Sequence, residues 1–378
     1  MDIIEVKKSS ILIMIHCEES TGYAIASLEY VFLSAARKAG FTDDSIFWSF
    51  KDTVTKNNPH IIKCDYFDAD DHKQLSDIIK KNNVVLVLSF DLGFPCPVIA
   101  TLKNSGVKHI ISYFGAGMSK INTGIKLMLK KLEYHLTKSK PDIFIFESEA
   151  MRKTATHGRG IQESATTIIH LGVDTKKFFP NYDQDKYIHK TLGIPENRKI
   201  IFYSGHMEER KGVRVIIKAA IHLVERLNIS NVHFVICGNK NNEANSFEKL
   251  LEGRISRNHV TFAGYRSDVP ELMRSSHIGV IASTGWDSFT MSSVEMMASG
   301  LPLIVSNLQG LSETIEPNKN GFLIIPGDHE QLAANIKTLV NNSELANQFS
   351  IASRKRVERL FSIEGQINAF AKLIEQYM

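Results

Sequence analysis

The chain has 378 residues, of which 43% are hydrophobic and 23% are charged, and its formal net charge is +4. This length favours two globular domains, and the mild charge argues against a nucleic-acid-binding function. No apolar run reaches the length of a membrane span. The cysteines show no metal-binding spacing, so we expect free thiols in a reducing, cytoplasmic compartment; they are Cys17, Cys64, Cys96 and Cys237.

The first half of the chain alternates short apolar runs with helical patterns. Helical periodicity covers Gly22–Ala39 and Asp71–Lys80. Such alternation predicts a doubly wound α/β domain with a parallel sheet. Because Glu18 and Glu19 follow the first apolar run closely, that run is interpreted as a strand rather than a signal peptide. The predicted strands are 11–15, 84–88, 109–113, 143–146 and 167–170.

Two charged segments of this half allow more than one interpretation. The sequence Asp68-Ala69-Asp70 has the spacing of a metal-binding acidic motif, but further acids nearby favour a solvated acidic turn. Lys120–Lys140 interleaves lysines with aliphatic residues at helical spacing. A helix of this kind could contact a membrane surface peripherally. It could equally be a solvated basic face.

The second half repeats the alternation, after a linker expected between Gly172 and Leu192. The strand that ends at Gly238 carries no G-x-G-x-x-G sequence, which argues against a nicotinamide cofactor. We therefore expect a second parallel α/β domain, whose ligands would bind beyond the carboxyl ends of its strands. The predicted strands are 199–203, 232–237, 259–262, 278–282 and 303–305.

The most informative segment is Trp286–Pro302, which predicts a loop followed by a helix. Asp287 lies on the loop, and Glu295 lies in the first turns of a helix that should begin near Met291 and end at Gly300. The start of a helix attracts anions, whereas carboxylates suit hydroxyl groups. A ligand that carries both a diphosphate and sugar hydroxyls would fit. The plainer alternative is an amphipathic helix with two surface acids.

This D-x7-E segment followed by A-S-G-L-P resembles the E-x7-E signature of retaining GT-B glycosyltransferases of family 4. The resemblance implies that Glu295 binds the ribose of a sugar nucleotide and that Asp287 lies near the donor sugar. It also implies that the amides of Phe289, Thr290 and Met291 hold the diphosphate. The chain departs from the signature in two places: its first acid is Asp, and Thr290 replaces a glycine.

Further segments resemble the same family in the same order. Gly172-Val173-Asp174 with Pro180 resembles its interdomain segment, and 204–212 resembles its "GR…KG" loop. The resemblance implies that Lys211 contacts the diphosphate, with His206 at the place of the family arginine and Arg210 as its substitute. The remaining residues that it places at the donor are Gly205, Gly264 and Tyr265.

The acceptor side is matched only in general architecture. Gly22 and Tyr23 stand where the family has a glycine-rich loop, and His16 follows the first predicted strand. The segment after 109–113 lacks the histidine that many relatives carry there, and His109 is interpreted as structural.

Together these resemblances imply a GT-B fold, in which two Rossmann-like domains face each other across a cleft. The domains expected are 1–183 for the acceptor and 184–360 for the donor, with a helix at 361–378 that crosses back to the first. The function implied is retaining, metal-independent transfer of a hexosyl or pentosyl group. The donor would be UDP- or GDP-linked, and the acceptor a glycan, lipid-linked or protein-linked hydroxyl. The alternatives are a non-catalytic nucleotide-sugar-binding subunit and another GT-B activity, such as an epimerase or a phosphorylase.

Overall fold

The computed structural model describes residues 9–19, 22–55, 58–181, 186–240 and 242–378. These residues form two compact units. The first unit contains the described residues up to His170 together with Glu364–Met378, and the second contains those of Leu171–Ile363. The boundary expected at 183/184 lies outside the described residues, and the one expected at 360/361 lies inside the second unit.

Within the described residues, the first unit is built on a seven-stranded parallel sheet of order β3-β2-β1-β4-β5-β6-β7. Residues 11–15 of β1 are wholly buried, as expected for a central strand covered on both faces. Because the order reverses between β1 and β4, the sheet has its switch point there. The strands are β1 (Ser10–Glu18), β2 (Ile46–Asp52), β3 (Ile61–Lys63), β4 (Val84–Phe90), β5 (His109–Phe114), β6 (Ile143–Phe146) and β7 (Thr166–Ile168).

The helices of the first unit begin where the sequence supplies caps. The Asp68 carboxylate accepts hydrogen bonds from the amides of Asp70 and Asp71, so this acid of the D-x-D sequence is a helix cap. The Ser148 hydroxyl caps the last of these helices through the Met151 amide. The helices are α1 (Gly22–Lys38), α2 (Ala69–Asn82), α3 (Pro97–Ser105), α4 (Gly124–Leu136) and α5 (Glu149–Thr156).

The second unit is built, in its described part, on a six-stranded parallel sheet of order β10-β9-β8-β11-β12-β13. Its strands are β8 (Lys199–Ser204), β9 (Val232–Cys237), β10 (Val260–Gly264), β11 (Ile278–Ile281), β12 (Leu303–Ser306) and β13 (Gly321–Ile324). Its helices are α6 (Tyr187–Leu192), α7 (Val213–Ile221), α8 (Asn245–Glu248), α9 (Val269–Arg274), α10 (Met291–Ala298), α11 (Gln309–Glu313), α12 (His329–Asn341) and α13 (Ser343–Leu360). The last helix, α14 (Ile363–Gln376), belongs to the first unit from Glu364 onwards.

These two parallel sheets flanked by helices are the two Rossmann-like domains of a GT-B fold. All four cysteines lie in the described residues, and none of them forms a disulfide. In the part of the chain that the structure describes, no helix is both long and apolar enough to cross a bilayer.

Candidate functional site

The candidate site lies at the switch point of the second sheet. Its strand order reverses between β8 and β11, and ligands of doubly wound sheets bind outside the carboxyl ends of the strands at such a point. Two loops leave the sheet there. Residues 205–212 follow β8, and residues 282–290 follow β11 and lead into α10. Most of the predicted donor-site residues lie on these loops or on α10.

Two glycines allow the loop after β8 to pass close to neighbouring backbone. Gly212 has a φ of +75°, and a Cβ atom there would lie 1.7 Å from the carbonyl oxygen of Ala282. Gly238, directly after β9, has a φ of +110°, and its Cβ would lie 2.2 Å from the carbonyl oxygen of Gly205. No other residue type fits these positions, because both the conformation and the space exclude a side chain.

Lys211 and Asp287 form a buried ion pair between the two loops. Nζ of Lys211 lies 3.0 Å from Oδ1 of Asp287, and the side chains are 14% and 5% exposed. The Ser283 hydroxyl donates to Oδ2 at 2.7 Å, and the Asp287 amide donates to the side-chain oxygen of Gln309 at 3.4 Å. The carboxylate is thereby fixed. An ammonium has three N–H donors, so Lys211 can hold Asp287 and still donate to an anion.

Arg210 joins the same two loops from the outside. Its carbonyl accepts hydrogen bonds from the amides of Thr284 and Gly285 at 2.7 and 3.3 Å. Its guanidinium donates to the carbonyl of Trp286 at 2.9 Å and pairs with Glu208 at 2.7 Å. The structure therefore gives Arg210 a role in holding the loops together, alongside its exposed positive charge.

The remaining predicted residue of the first loop, His206, has an exposed side chain. Its carbonyl accepts a hydrogen bond from the Tyr203 hydroxyl at 2.8 Å. Burial, reinforced by the negative charge of Asp287, raises the pKa of Tyr203 well above its ordinary value. Tyr203 therefore stays protonated and fixes the turn that carries His206.

Helix α10 is anchored at its start to the end of β8. The Ser292 hydroxyl donates to the carbonyl of Ser204 at 2.8 Å, which fixes the first turn of α10 beside the loop 205–212. Glu295, one turn further on, is 7% exposed. Phe289 is buried against Phe361, with ring centroids 5.2 Å apart, so its side chain belongs to the core.

The two residues that open α10 differ from each other. Thr290 is the N-cap residue, but its side chain makes no capping hydrogen bond. Its Oγ1 atom is buried and finds no partner among the described residues. Met291 is the first residue of the helix and is partly buried.

Gly264 and Tyr265 lie at the carboxyl end of β10. The Gly264 amide donates to the side-chain oxygen of Asn239 at 3.0 Å, and its carbonyl accepts from the Gly238 amide at 2.9 Å. Tyr265 is exposed, and the Lys240 ammonium lies 5.0 Å from the centre of its ring. Because the amide and the carbonyl of Gly264 already form hydrogen bonds within the protein, the exposed Tyr265 ring is more available to a ligand.

On the first unit, the predicted acceptor residues have different surroundings. His16 lies in β1, with its Nε2 atom 3.2 Å from a carboxylate oxygen of Asp65 and its ring stacked on Tyr66 at 4.1 Å. Gly22 is the first residue of α1, has a φ of +73° and is exposed. The side chain of Tyr23 lies outside the described residues.

A cluster of ionisable groups that sequence reasoning missed lies at the carboxyl ends of β4 to β6. Glu147 follows β6 and accepts a hydrogen bond from the Tyr113 hydroxyl at 3.0 Å. Burial raises the pKa of Glu147, which is 5% exposed, to about 8, whereas Asp91, which follows β4, has an exposed side chain. The Asp91 carboxylate accepts a hydrogen bond from the Gly115 amide at 3.0 Å, and an imidazole nitrogen of His170 lies 2.7 Å from the carbonyl of Glu147.

Ser283, Gln309 and Asn239 were also missed, because no motif contains them. Their only signal is position, since each follows the carboxyl end of a strand. A metal could be held elsewhere: among the described residues, His222, His329 and Glu330 bring one ligand atom each to within 4.8 Å of one another. None of these three residues lies on the two loops.

Comparison with known proteins finds similarity to glycosyltransferases. Residues 184–356 match the family described as glycosyl transferases group 1. The spore coat protein SA of Bacillus subtilis is 29% identical over 57% of this chain and 59% of that protein, so the chain spans about three fifths of this relative. A second relative, the UDP-Gal:alpha-D-GlcNAc-diphosphoundecaprenol alpha-1,3-galactosyltransferase of Escherichia coli, is 24% identical over 88% of this chain and 84% of that enzyme.

The fold is also found among solved structures. The structure of Anabaena HepE in complex with UDP superimposes with a TM-score of 0.76 over 97% of this chain and 100% of that one, at 17% sequence identity. At this level of identity the likeness concerns the fold. It confirms the pair of Rossmann-like domains that the alternation of strands and helices predicted.

Proposed function

Because residues 184–356 match the family described as glycosyl transferases group 1, we propose that the whole protein transfers a sugar from a nucleoside diphosphate to an acceptor hydroxyl. The observation that carries this proposal is the buried ion pair of Lys211 and Asp287 beside the start of α10. It places a cation, a carboxylate and a helix start at the switch point, where a diphosphate and a sugar would both find partners.

Each residue of the site then has a task that its surroundings support. Glu295 binds the ribose hydroxyls, because a buried carboxylate accepts hydrogen bonds strongly. Lys211, with Arg210 and His206 nearby, stabilises the charge that develops on the leaving diphosphate. Asp287, held by Lys211 and Ser283, orients the sugar.

The start of α10 completes the donor site in this proposal. The backbone amides of Thr290 and Met291 hold the diphosphate, and Phe289 positions them from the core. Gly205 lets the first loop lie close to the phosphates. Gly264 and Tyr265 receive the base, with the exposed tyrosine ring as its stacking surface.

The proposed reaction proceeds with retention of configuration and without a metal ion. The bond between the sugar and the diphosphate breaks, the acceptor oxygen bonds to the same face of the sugar, and the acceptor proton passes to the leaving phosphate. The positive side chains at the site support a reaction without a metal ion, since they supply the charge stabilisation that a metal provides in other transferases. UDP is favoured over GDP as the carrier, because the name of the E. coli relative contains UDP-Gal and the HepE structure contains UDP.

The acceptor that we propose is a lipid-linked or free glycan, with Gly22, Tyr23 and His16 on the side of the first unit. The name of the E. coli relative describes a lipid diphosphate acceptor, and that relative covers most of this chain. A membrane surface is where such an acceptor would be met. The segment 120–140 is the part of the chain that we propose contacts it peripherally.

Calorimetric titration with UDP-, GDP- and ADP-sugars tests the donor site. We expect one tight ligand, with Glu295→Ala weakening it by about 1–3 kcal/mol through loss of a buried hydrogen-bond partner. The matched control is Glu330→Ala, an exposed glutamate on α12, which should leave affinity unchanged.

The outcome also separates the alternatives. Absence of binding across the whole panel would refute the donor site. Binding without any transfer to glycan or lipid extracts would favour a non-catalytic subunit. Phosphate-dependent release of sugar phosphate would indicate a phosphorylase.

A further inference from the structure

Two histidines and a glutamate come together on elements of the second unit other than the two donor loops. His222 begins a π-helical turn, His222–Arg226, that continues α7, and His329 and Glu330 open α12. Nδ1 of His222 lies 4.0 Å from Oε1 of Glu330, and the centres of the two imidazole rings are 6.1 Å apart. Among the residues that the structure describes, no other three His, Cys, Asp or Glu side chains bring one ligand atom each within 4.8 Å of one another.

The elements that carry the three side chains are fixed against each other. Leu223 of the π-helical turn and Leu332 of α12 are wholly buried in one hydrophobic core. The turn is closed by the Leu227 amide, which donates to the carbonyl of His222 at 3.0 Å. Such wide turns are rare in helices and are frequently found at functional sites. The backbones that position the cluster are therefore held by packing, whether or not a ligand is present.

The side chains of the cluster can close around an ion. Both imidazole rings are partly buried, which restricts their positions, whereas the side chain of Glu330 is 69% exposed and has room to turn inward. The ligands of a tetrahedral zinc ion lie about 2.0–2.1 Å from the metal and so about 3.4 Å from one another. Closing the cluster therefore takes a movement of about 1 Å, which side-chain rotation supplies.

The charge at the start of α12 favours a cation. The beginning of a helix carries about half a positive elementary charge, which taken alone would repel a metal ion. The carboxylate of Asp328 caps this helix and accepts a hydrogen bond from the Gln331 amide at 2.8 Å. Glu330 adds a second carboxylate in the first turn. The two acids together outweigh the helix end, so the sum of these charges is negative.

We propose that His222, His329 and Glu330 bind a divalent transition-metal ion, Zn²⁺ in particular, that links α12 to the π-helical turn. Two imidazole nitrogens and one carboxylate oxygen form a ligand set that zinc accepts. Mg²⁺ and Ca²⁺ prefer oxygen ligands, so the cluster selects against them. Three protein ligands leave the fourth position of a tetrahedral ion to water.

The metal at this site is a cross-link within the second unit. None of its three ligands lies on the loops 205–212 and 282–290 or on α10, where the donor residues lie. The proposed sugar transfer uses no metal ion and does not depend on this site. The two proposals can therefore fail separately, and donor affinity measured in the presence of EDTA tests the first without the second.

The test is calorimetric titration of the full chain with zinc chloride at about pH 7.5, after treatment with EDTA and dialysis. Every protein carries Cys17→Ser, because Cys17 is a free and partly exposed thiol that could itself bind zinc. We expect one ion per chain with a dissociation constant on the order of 1 µM, since four-ligand structural sites bind more tightly.

Variants of the ligands should weaken zinc binding according to their number. His222→Gln with His329→Gln should weaken it at least about 100-fold, because even the outer partners of metal ligands are worth 10–100-fold. Glu330→Gln should weaken it about tenfold. The matched control replaces two exposed histidines of the first unit, His135→Gln with His157→Gln, and should leave zinc affinity unchanged. Circular dichroism in EDTA should show that every variant folds.

A melting measurement separates a cross-link from incidental binding. Zinc at about 100 times its dissociation constant should raise the melting temperature of the second unit by about 5 °C, and magnesium should not. The rise should be absent from the double histidine variant. The proposal is overturned if the chain binds no zinc up to about 100 µM, or if the double histidine variant binds it as tightly as the control. Equal stabilisation by magnesium would overturn the assignment to a transition metal.

Discussion

Each unit has its own way of fixing the residues at the carboxyl edge of its sheet. In the second unit, glycines bring backbone segments into contact, and a buried ion pair joins the loops after β8 and β11. In the first unit, the corresponding edge carries the buried side chain of Glu147, which accepts a hydrogen bond from the Tyr113 hydroxyl, and the carboxylate of Asp91, which accepts one from the Gly115 amide. The arrangement in the second unit depends on particular residue types at fixed spacing, and the arrangement in the first unit depends on the burial of Glu147. The difference teaches that a site fixed by backbone contact leaves a trace in the sequence, whereas one fixed by burial does not.

The largest effect should follow from breaking a backbone contact of the second unit. Gly212→Ala would place a methyl group against the carbonyl of Ala282, at a φ of +75°. We expect the free energy of unfolding of this unit to fall by at least about 3 kcal/mol, and donor binding to be lost. Urea denaturation of a Trp48→Phe background, followed by fluorescence of Trp286, reports on this unit because the chain has two tryptophans.

Gly253→Ala separates the contact from the backbone conformation. Gly253 also has a positive φ, +68°, but a Cβ atom there would meet no other atom within 4 Å. Its substitution should cost only about 1–2 kcal/mol, the usual penalty of the left-handed conformation. If both variants lost the same stability, the close approach to Ala282 would have no energetic importance.

The extent of burial explains which strands could be predicted from the sequence. Central strands such as β4 and β9 are continuous apolar runs and were found, whereas β2, β3 and β13 were missed. β3 has three residues, and β13 begins at a glycine that follows Asn320, so both resemble turns. Both lie at the edges of their sheets, where burial is incomplete.

For the site, the family resemblance implied Lys211, Asp287 and Glu295, and all three lie near the switch point, where their roles stay predictions. Their mutual contacts could not be read, because Lys211 and Asp287 are 76 residues apart. Ser283 and Gln309 belong to no motif and are recognised only once the strands are aligned. The cluster around Glu147 was missed for the same reason, since single acids along a sequence carry no sign of burial.

A second, smaller effect should distinguish the buried ion pair from an exposed one. A double-mutant cycle of Lys211→Met and Asp287→Asn should give a coupling energy of about 2 kcal/mol, because each single change leaves a buried charge without its partner. The same cycle for Lys130 and Glu133, which pair on the surface of α4, should give less than about 0.5 kcal/mol. Unfolding of each unit is again followed through its own tryptophan. Equal coupling energies would mean that the loops of the second unit do not depend on this pair.

The smallest effect concerns the first unit and depends on pH. The pKa of Glu147 is raised by burial to about 8, against about 4.3 in an unfolded chain. A raised carboxyl pKa stabilises the folded state fully below the unfolded value, and this stabilisation is lost as the pH rises through the folded value. Between about pH 6.5 and 8.5 the first unit should therefore lose on the order of 1–2 kcal/mol.

Glu147→Gln should remove that loss, because glutamine cannot ionise and its side-chain oxygen can still accept the Tyr113 hydrogen bond. The carboxylate of Asp91 and the imidazole of His170 are common to both proteins. The difference between wild type and variant therefore isolates Glu147. Urea denaturation across this range, followed by Trp48 fluorescence in a Trp286→Phe background, measures it, with the exposed Glu163→Gln as control. Parallel pH profiles for wild type and Glu147→Gln would show that burial does not control this edge, and the contrast between the two units would then fail.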